Sequence, residues 1–336
     1  MYKYFHYFCE SITNEPVLFQ MISRRLLRVK VLQMLYAYYT AALQDINKTE
    51  KELYHSINKS YELYHLLLLL IMDISQYAES RLEIARKKIR PEWDDLNPNT
   101  RFIENRLIRQ IADNKQLLRY LNASGTSWVN HPELIKELYY EVTNSPAFKV
   151  YMEADTIKYE DEKRLVLYIY TEIIQMNEHL NQVIEEMSIY WNDDLEFIIS
   201  MIIKTIKKFS EDDGQDKTLL PLFKNDDDKD FVRDLLRSSL VQRDFSMNLI
   251  KETANNWDIE RIALMDILIM QLAISELMEF QSIPTKVTLN EYLDIAKYYS
   301  TEKSNTFING ILDKILENLK KNNKILKTGR GLIGEN

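Results

Sequence analysis

The stretch WDIERIALMDILIMQLAISELMEFQSIPTKVTLNEYLDIAKYYSTEKSNTFINGILDKI, residues 257–315, decides the fold. Its apolar residues recur at three- and four-residue spacing, the signature of helices that turn one face to a core. The pattern breaks at Pro284, because the residue before a proline leaves the helical region, and again at residues 300–303. In the last helix, Phe307, Ile308, Ile311 and Leu312 form a stripe read as core. Ser304 or Asn305 is the predicted N-terminal cap of that helix. Gly310 costs about 1 kcal/mol relative to alanine inside a helix, which predicts a close helix–helix approach at that point.

The rest of the chain reads the same way. Helical periodicity extends from Phe231 to about Lys321 and fills residues 46–210, with breaks at Pro91, Pro98, Gly125, Pro132 and Pro146. Six glycines and seven prolines in 336 residues are about 4%, against an ordinary usage of about 12%. A sandwich, barrel or doubly wound sheet needs more turns than this chain can make. The fold class is therefore all-α, and 46% hydrophobic residues exclude global disorder. Residues 210–230, with Glu211, Asp212, Asp213, Asp216, Asp226, Asp227, Asp228 and Asp230, read as an acidic linker. The basic stretch 321–336 reads as a flexible tail. With an offset of 66, residues 161–206 echo residues 227–272: Trp191 meets Trp257, Ile198 meets Leu264 and Met201 meets Ile267.

Residues 1–20 are aromatic-rich without a clear period, and Met21 reads as the natural start of the chain. A first helix over 22–44 follows, which Ser23 can cap. Within it Arg24 and Arg28 lie about 40° apart around the axis, with Arg25 about 60° beyond. Three guanidinium groups thus share a sector at the positive end of the helix dipole, with no acid before Asp45. The net charge of −8 means that any nucleic-acid site is a local patch on an acidic background.

Other chemistry is scarce. Cys9 is the sole cysteine, which excludes an intrachain disulfide and a cysteine-based zinc site. Two Glu-x-x-His pairs, Glu52 with His55 and Glu62 with His65, occupy one predicted helix. They stand about 15 Å apart along it and about 80° apart around it, so they do not close on one metal cluster. Phosphate-cradling glycine loops and hydrolase or metalloprotease motifs are missing from the sequence, so no enzyme and no cofactor are expected. The longest apolar run, residues 66–72, is too short to cross a bilayer, and no secretory signal is read; the expected location is the cytoplasm.

SRRLLRVKVLQMLYAY, residues 23–38, resembles the opening helix of the NusB family, and residues 257–315 resemble its second helical half in register. The motifs are Ile-Pro-x-Lys-Val, Asn290-Glu291 and Phe-Ile-Asn-Gly-Ile-Leu-Asp, together with the Asp266 and Glu276 positions. The resemblance divides the chain into an arm (1–21), a first family-like helix (22–45), a helical insertion (46–225), a C-terminal helical core (226–320) and the tail (321–336). It implies a two-subdomain helical bundle that binds boxA RNA of ribosomal RNA leaders together with NusE, a small-subunit ribosomal protein. Such a protein serves the RNA polymerase antitermination complex. Carried over by position, Arg24, Arg25, Arg28, Lys286, Tyr299, Lys303, Ser304 and Phe307 would form the RNA face, and Tyr36 and Asp266 the NusE face. Leu26 stands where many members are basic, Thr306 where Lys or Arg is frequent, and Lys303 where an acid is often seen. The alternative is a scaffold of the same fold without RNA binding, its insertion serving as an interaction or homodimer surface.

Overall fold

The computed structural model describes residues 24–41, 45–223, 225–254 and 262–333. The N-terminal arm with Cys9 and Met21, the Ser23 cap and the Trp257 half of the internal echo lie outside the described residues. Fifteen α-helices and no strand occur among the described residues. In chain order they begin with α1 (Arg24–Thr40), α2 (Ile46–Arg86), the one-turn α3 (Trp93–Leu96), α4 (Arg106–Ala112) and α5 (Lys115–Ser124). Next come α6 (Pro132–Asn144), α7 (Pro146–Glu153) and α8 (Tyr159–Tyr168), the last continuing as a π-helical segment (Ile169–Ile174). They are followed by α9 (Glu178–Met187), α10 (Leu195–Lys208), α11 (Asp226–Val241) and α12 (Arg243–Thr253). The chain closes with α13 (Leu264–Glu279), α14 (Thr285–Tyr299) and α15 (Glu302–Lys321). These helices form two compact units, residues 1–54 with 222–336 and residues 55–221, and the division falls inside α2.

The first unit is built around α13. Eleven of its 16 residues are buried, because a helix apolar around its whole circumference is stable only when other helices surround it. Helices α1, α11, α12, α14 and α15 all pack on it. Leu27, Val31 and Leu35 of α1, Val232 and Leu236 of α11, and Ile308, Ile311, Leu312 and Ile315 of α15 are buried there.

Four local expectations change. The acidic linker ends earlier than its composition suggested: Asp226, Asp227 and Asp228 form the first turn of α11, where the helix dipole favours acids. Thr301, not Ser304 or Asn305, caps α15, its hydroxyl accepting from the Ser304 amide at 3.2 Å. Asn305 instead donates to the Leu293 carbonyl at 2.7 Å and ties α15 to α14. Gly310 is exposed with open space around it, so no close helix approach explains it. The basic tail is docked rather than loose as far as it is described. Lys327 donates to the Phe280 carbonyl at 2.9 Å and the Thr328 amide to the Gln281 carbonyl at 3.0 Å. Gly331 lies so close that a Cβ there would sit 1.9 Å from the Gln281 oxygen.

The second unit surrounds the apolar run of α2, where Leu66, Leu67, Leu68, Leu70 and Ile71 are buried. Large aromatic residues bury their rings against it and satisfy their polar tips on its carbonyls. Trp128 Nε1 donates to Leu66 at 2.8 Å, Tyr170 Oη to Leu67 at 2.9 Å and Trp191 Nε1 to Lys59 at 2.7 Å. Gly125, with φ +67°, closes α5 in the left-handed conformation, and Pro132 and Pro146 open α6 and α7. A first-turn proline loses no helical hydrogen bond. Residues 210–217 are held down as well: Gln110 Nε2 donates to the carbonyls of Ser210, Glu211 and Asp213.

The 66-residue echo extends to the helices. Shifted by that offset, residues 159–174 fall on α11 and α9 falls on α12, each end agreeing within one residue, and α10 starts within three residues of α13. Glu162 falls on Asp228, and both are buried carboxylates that accept from an arginine, Arg106 at 2.8 Å and Arg24 at 3.2 Å.

Both Glu-x-x-His pairs lie on α2. His65 is buried and stacked on Tyr120 with ring centroids 3.7 Å apart, its Nδ1 within 2.8 Å of the Tyr61 carbonyl. Burial pulls its pKa down to about 4. Between that value and the ordinary one near 6.5, the unfolded chain binds a proton that the folded chain refuses. This contribution to stability is therefore complete above pH 6.5 and is lost as the pH falls towards 4. Burial of Asp73 lifts its pKa to about 6, which acts in the opposite sense over an overlapping range. The difference between wild type and His65→Phe isolates the histidine. Thermal melts from pH 7 to 4.5 are expected to show a steeper loss of stability in wild type than in the variant.

Candidate nucleic-acid interface

Arg24, Arg25 and Arg28 emerge from α1 on one sector, as the 3.6-residue repeat dictates. Each meets carboxylates from another helix. Arg24 Nε lies 3.2 Å from Asp228 at the start of α11, its guanidinium carbon 5.0 Å from the Phe231 ring centroid. Arg25 grips both oxygens of Glu291 at 2.9 and 3.0 Å and reaches Asp294 at 2.9 Å, both on α14. Burial alone would lower the Arg25 pKa; the bonded Glu291 outweighs it and holds it above the ordinary value.

Arg28 is buried. It forms a fork with Glu276 of α13, both contacts 2.7 Å, and Nη1 reaches Glu291 at 3.3 Å. Glu276 is fully buried and accepts further bonds from Thr288 Oγ1 at 2.9 Å and Tyr292 Oη at 3.0 Å. Four donors thus occupy its lone pairs, so the buried carboxylate is fully hydrogen-bonded. Burial by itself would depress the Arg28 pKa; the Glu276 charge overrides it and raises the pKa instead. Burial and the same carboxylate push the Tyr292 hydroxyl well above its ordinary range. Arg28 therefore ties helices together inside the unit and does not lie on its surface as the sequence reading had placed it.

The other predicted residues separate into two places. Tyr299, Lys303, Ser304 and Phe307 come together at the junction of α14 and α15, with Lys303 exposed and Tyr299, Ser304 and Phe307 half-buried. Gln33 of α1 donates to the Tyr299 hydroxyl at 3.4 Å, which brings α1 to this junction. Tyr298 beside it is 62% exposed. Lys286 is exposed in the first turn of α14, about 20 Å along the helix from Tyr299. Of the expected partner-face residues, Tyr36 is exposed on α1. Asp266 is buried and accepts a bond from the Ser300 hydroxyl, so it joins α13 to the α14–α15 connection and is not at the surface.

Sequence reasoning named Glu276 and Glu291 only as family positions and missed that they, with Asp228 and Asp294, neutralise the arginine sector. The partners stand 204 to 269 residues away in the chain, beyond the reach of local periodicity. Among the described residues, no group of three or more His, Cys, Asp or Glu side chains is placed to hold a metal ion. No helix of the described chain is long and apolar enough to cross a membrane.

Fold and site define the class: an all-α protein whose first described helix is locked to a C-terminal helical core by arginine–carboxylate pairs, one of them buried. Comparison gives the family. The model of the NusB family matches residues 194–317, which takes in α10 to α15 and leaves out α1. Transcription antitermination protein NusB of Salinibacter ruber is 37% identical over 139 residues, 40% of this chain and 87% of that protein. The NusB of Chloroherpeton thalassium is 39% identical over 106 residues, 31% of this chain and 50% of that protein. That of Thermodesulfovibrio yellowstonii is 42% identical over 91 residues, 27% of this chain and 60% of that protein. No solved structure matches. The chain belongs to the NusB family of transcription antitermination proteins.

Removing one member of a buried ion pair leaves the other charged and unpaired, at a cost of about 3–5 kcal/mol. Arg28→Ala is expected to lose about that much in urea unfolding of the first unit. Arg24→Ala removes a partly exposed arginine but leaves the buried Asp228 carboxylate without it, and is expected to lose about 1–3 kcal/mol.

Proposed function

We propose that this chain is an RNA-binding antitermination factor that takes boxA-type RNA together with NusE and serves the RNA polymerase antitermination complex. The observation that carries the reading is the α14–α15 junction. There the exposed Lys303 sits in the first turn of a Thr301-capped helix, with Tyr298 and Tyr299 at the end of α14 before it and Phe307 one turn after it. A cation beside a helix start attracts phosphate, and flat rings stack unpaired bases. Lys286, Lys303, Tyr299, Ser304 and Phe307 are assigned to RNA, with Arg24 and Arg25 at the rim, where phosphate would share them with their carboxylates. Arg28 acts as a positioning residue behind them. Tyr36 is the surface residue left for NusE, and Asp266 supports the connection from within.

One observation favours a second reading, a NusB-fold scaffold without RNA binding. Four carboxylates, Asp228, Glu276, Glu291 and Asp294, already pair with the three arginines.

Anisotropy of a labelled boxA RNA and a scrambled control, with and without NusE across a salt series, separates the two. Binding selective for boxA and strengthened by NusE is the expected result. Lys286→Ala with Lys303→Ala should lower the salt slope by about 1.4, at about 0.7 per phosphate on a single strand. Equal, weak binding of both RNAs would replace this reading with the scaffold.

A further inference from the structure

The second unit carries a surface patch that its own packing does not explain. Between Arg81 and Arg90 the chain places Arg81, Arg86, Lys87, Lys88 and Arg90, all exposed, where α2 ends and the turn to α3 begins. Ile84, Ile89 and Trp93 emerge among them, 61%, 101% and 76% exposed. The other described tryptophans, Trp128 and Trp191, are buried with their indole N–H groups bonded to carbonyls of α2.

Favourable interaction with the helix dipole accounts for cations in the last turn of α2. It does not account for a large ring and a fully exposed isoleucine held in water beside them. The segment is ordered by its own contacts: Lys88 Nζ lies 2.7 Å from Asp95 of α3, and the Asp95 side chain accepts from the Glu92 amide at 2.9 Å. These bonds hold the start of α3, where Trp93 stands, close behind the basic stretch in the chain. Lys87 pairs with Glu83 at 3.6 Å. Arg81, Arg86 and Arg90 pair with no carboxylate among the described residues.

We propose that residues 81–93 form a second contact for single-stranded RNA, on the helical unit outside the first. Arg86, Lys87 and Arg90 hold phosphates and Trp93 stacks a base. Guanidinium forks match phosphate oxygens, and an exposed indole stacks any base. The choice of RNA among polyanions rests on the RNA-binding reading above. An anionic bilayer is the rival surface, and the segment suits it poorly. Ile84 lies in the last turns of α2 and Ile89 in the turn beyond its end, so no single helical face gathers them for insertion.

The test uses the full chain and a labelled oligouridine, which lacks a boxA sequence. Oligouridine is expected to quench the tryptophan emission, and Trp93→Ala is expected to abolish the quenching and weaken binding about fivefold or more. The triple variant Arg86→Ala, Lys87→Ala, Arg90→Ala should lower the salt slope by about 2. These residues are exposed, and circular dichroism checks that each variant keeps its helix content. Oligouridine binding unchanged in both variants overturns the proposal. So does a blue-shifted Trp93 emission on phosphatidylglycerol vesicles with no response to oligouridine, which would make the patch a membrane contact. If wild type shows no boxA preference yet the patch variants lose oligouridine binding, the antitermination reading fails and this contact stands. Intact boxA preference with unaltered oligouridine binding in the variants sinks this contact alone.

Discussion

The first unit depends on one buried ion pair. Arg28 and Glu276 are both removed from water, and each would be costly there alone. Glu276 closes the account by accepting from Arg28 twice, from Thr288 and from Tyr292, so α1, α13 and α14 meet at a single carboxylate. Directional bonds of this kind constrain how α1 is rotated and shifted against α13, which apolar contacts between Leu27, Val31 and their neighbours do only loosely. Arg24 and Arg25 then leave the same helix at defined angles, and their partners on α11 and α14 follow. The arginine sector is thus the fastening of the bundle first, and whatever it offers a ligand is what remains at its rim.

The parts of this architecture that depend on near neighbours were legible in the sequence. Gly125, Pro132 and Pro146 mark helix ends because their backbone restrictions act within a residue or two. The Phe307 helix showed its buried face through Ile308, Ile311 and Leu312 for the same reason. What the sequence did not disclose depends on distant or competing partners. Arg28 looked available because the acid that buries it lies on another helix, 248 residues on. Thr301 won the cap position from Ser304 because the extended backbone ahead of the helix put its hydroxyl in reach first, a choice among adjacent polar residues that composition leaves open. Asp226–Asp228 looked like linker because acids serve equally in a solvated loop and in a first helical turn. The exposure of Ile84 could not be read at all, since which face of α2 is covered is decided by the second unit's other helices.

Family membership and the two-unit division bear on different stretches of the chain. The match covers residues 194–317, whereas the first unit also recruits α1 and the opening of α2. The parallel placement of α8 to α10 and α11 to α13, with Glu162 and Asp228 in the same relative position, describes two bundles assembled on related plans. In the second, Arg106 on α4 occupies the role that Arg24 plays on α1.

The division of the first unit into two chain segments has a consequence for how it is made. On a translating ribosome α1 emerges 248 residues ahead of the carboxylate that must neutralise Arg28. Closing so long a flexible loop is entropically expensive, though the penalty grows only by about 0.6 kcal/mol for each doubling of length. The second unit is complete by residue 221, before α11 has been made. Once folded, it turns a long floppy excursion into a compact body entered and left at neighbouring points of the first unit, where the Tyr54 hydroxyl meets the Lys229 carbonyl at 3.1 Å. A compact body with closely spaced ends leaves α1 a far shorter effective loop to close than a flexible chain of that length would.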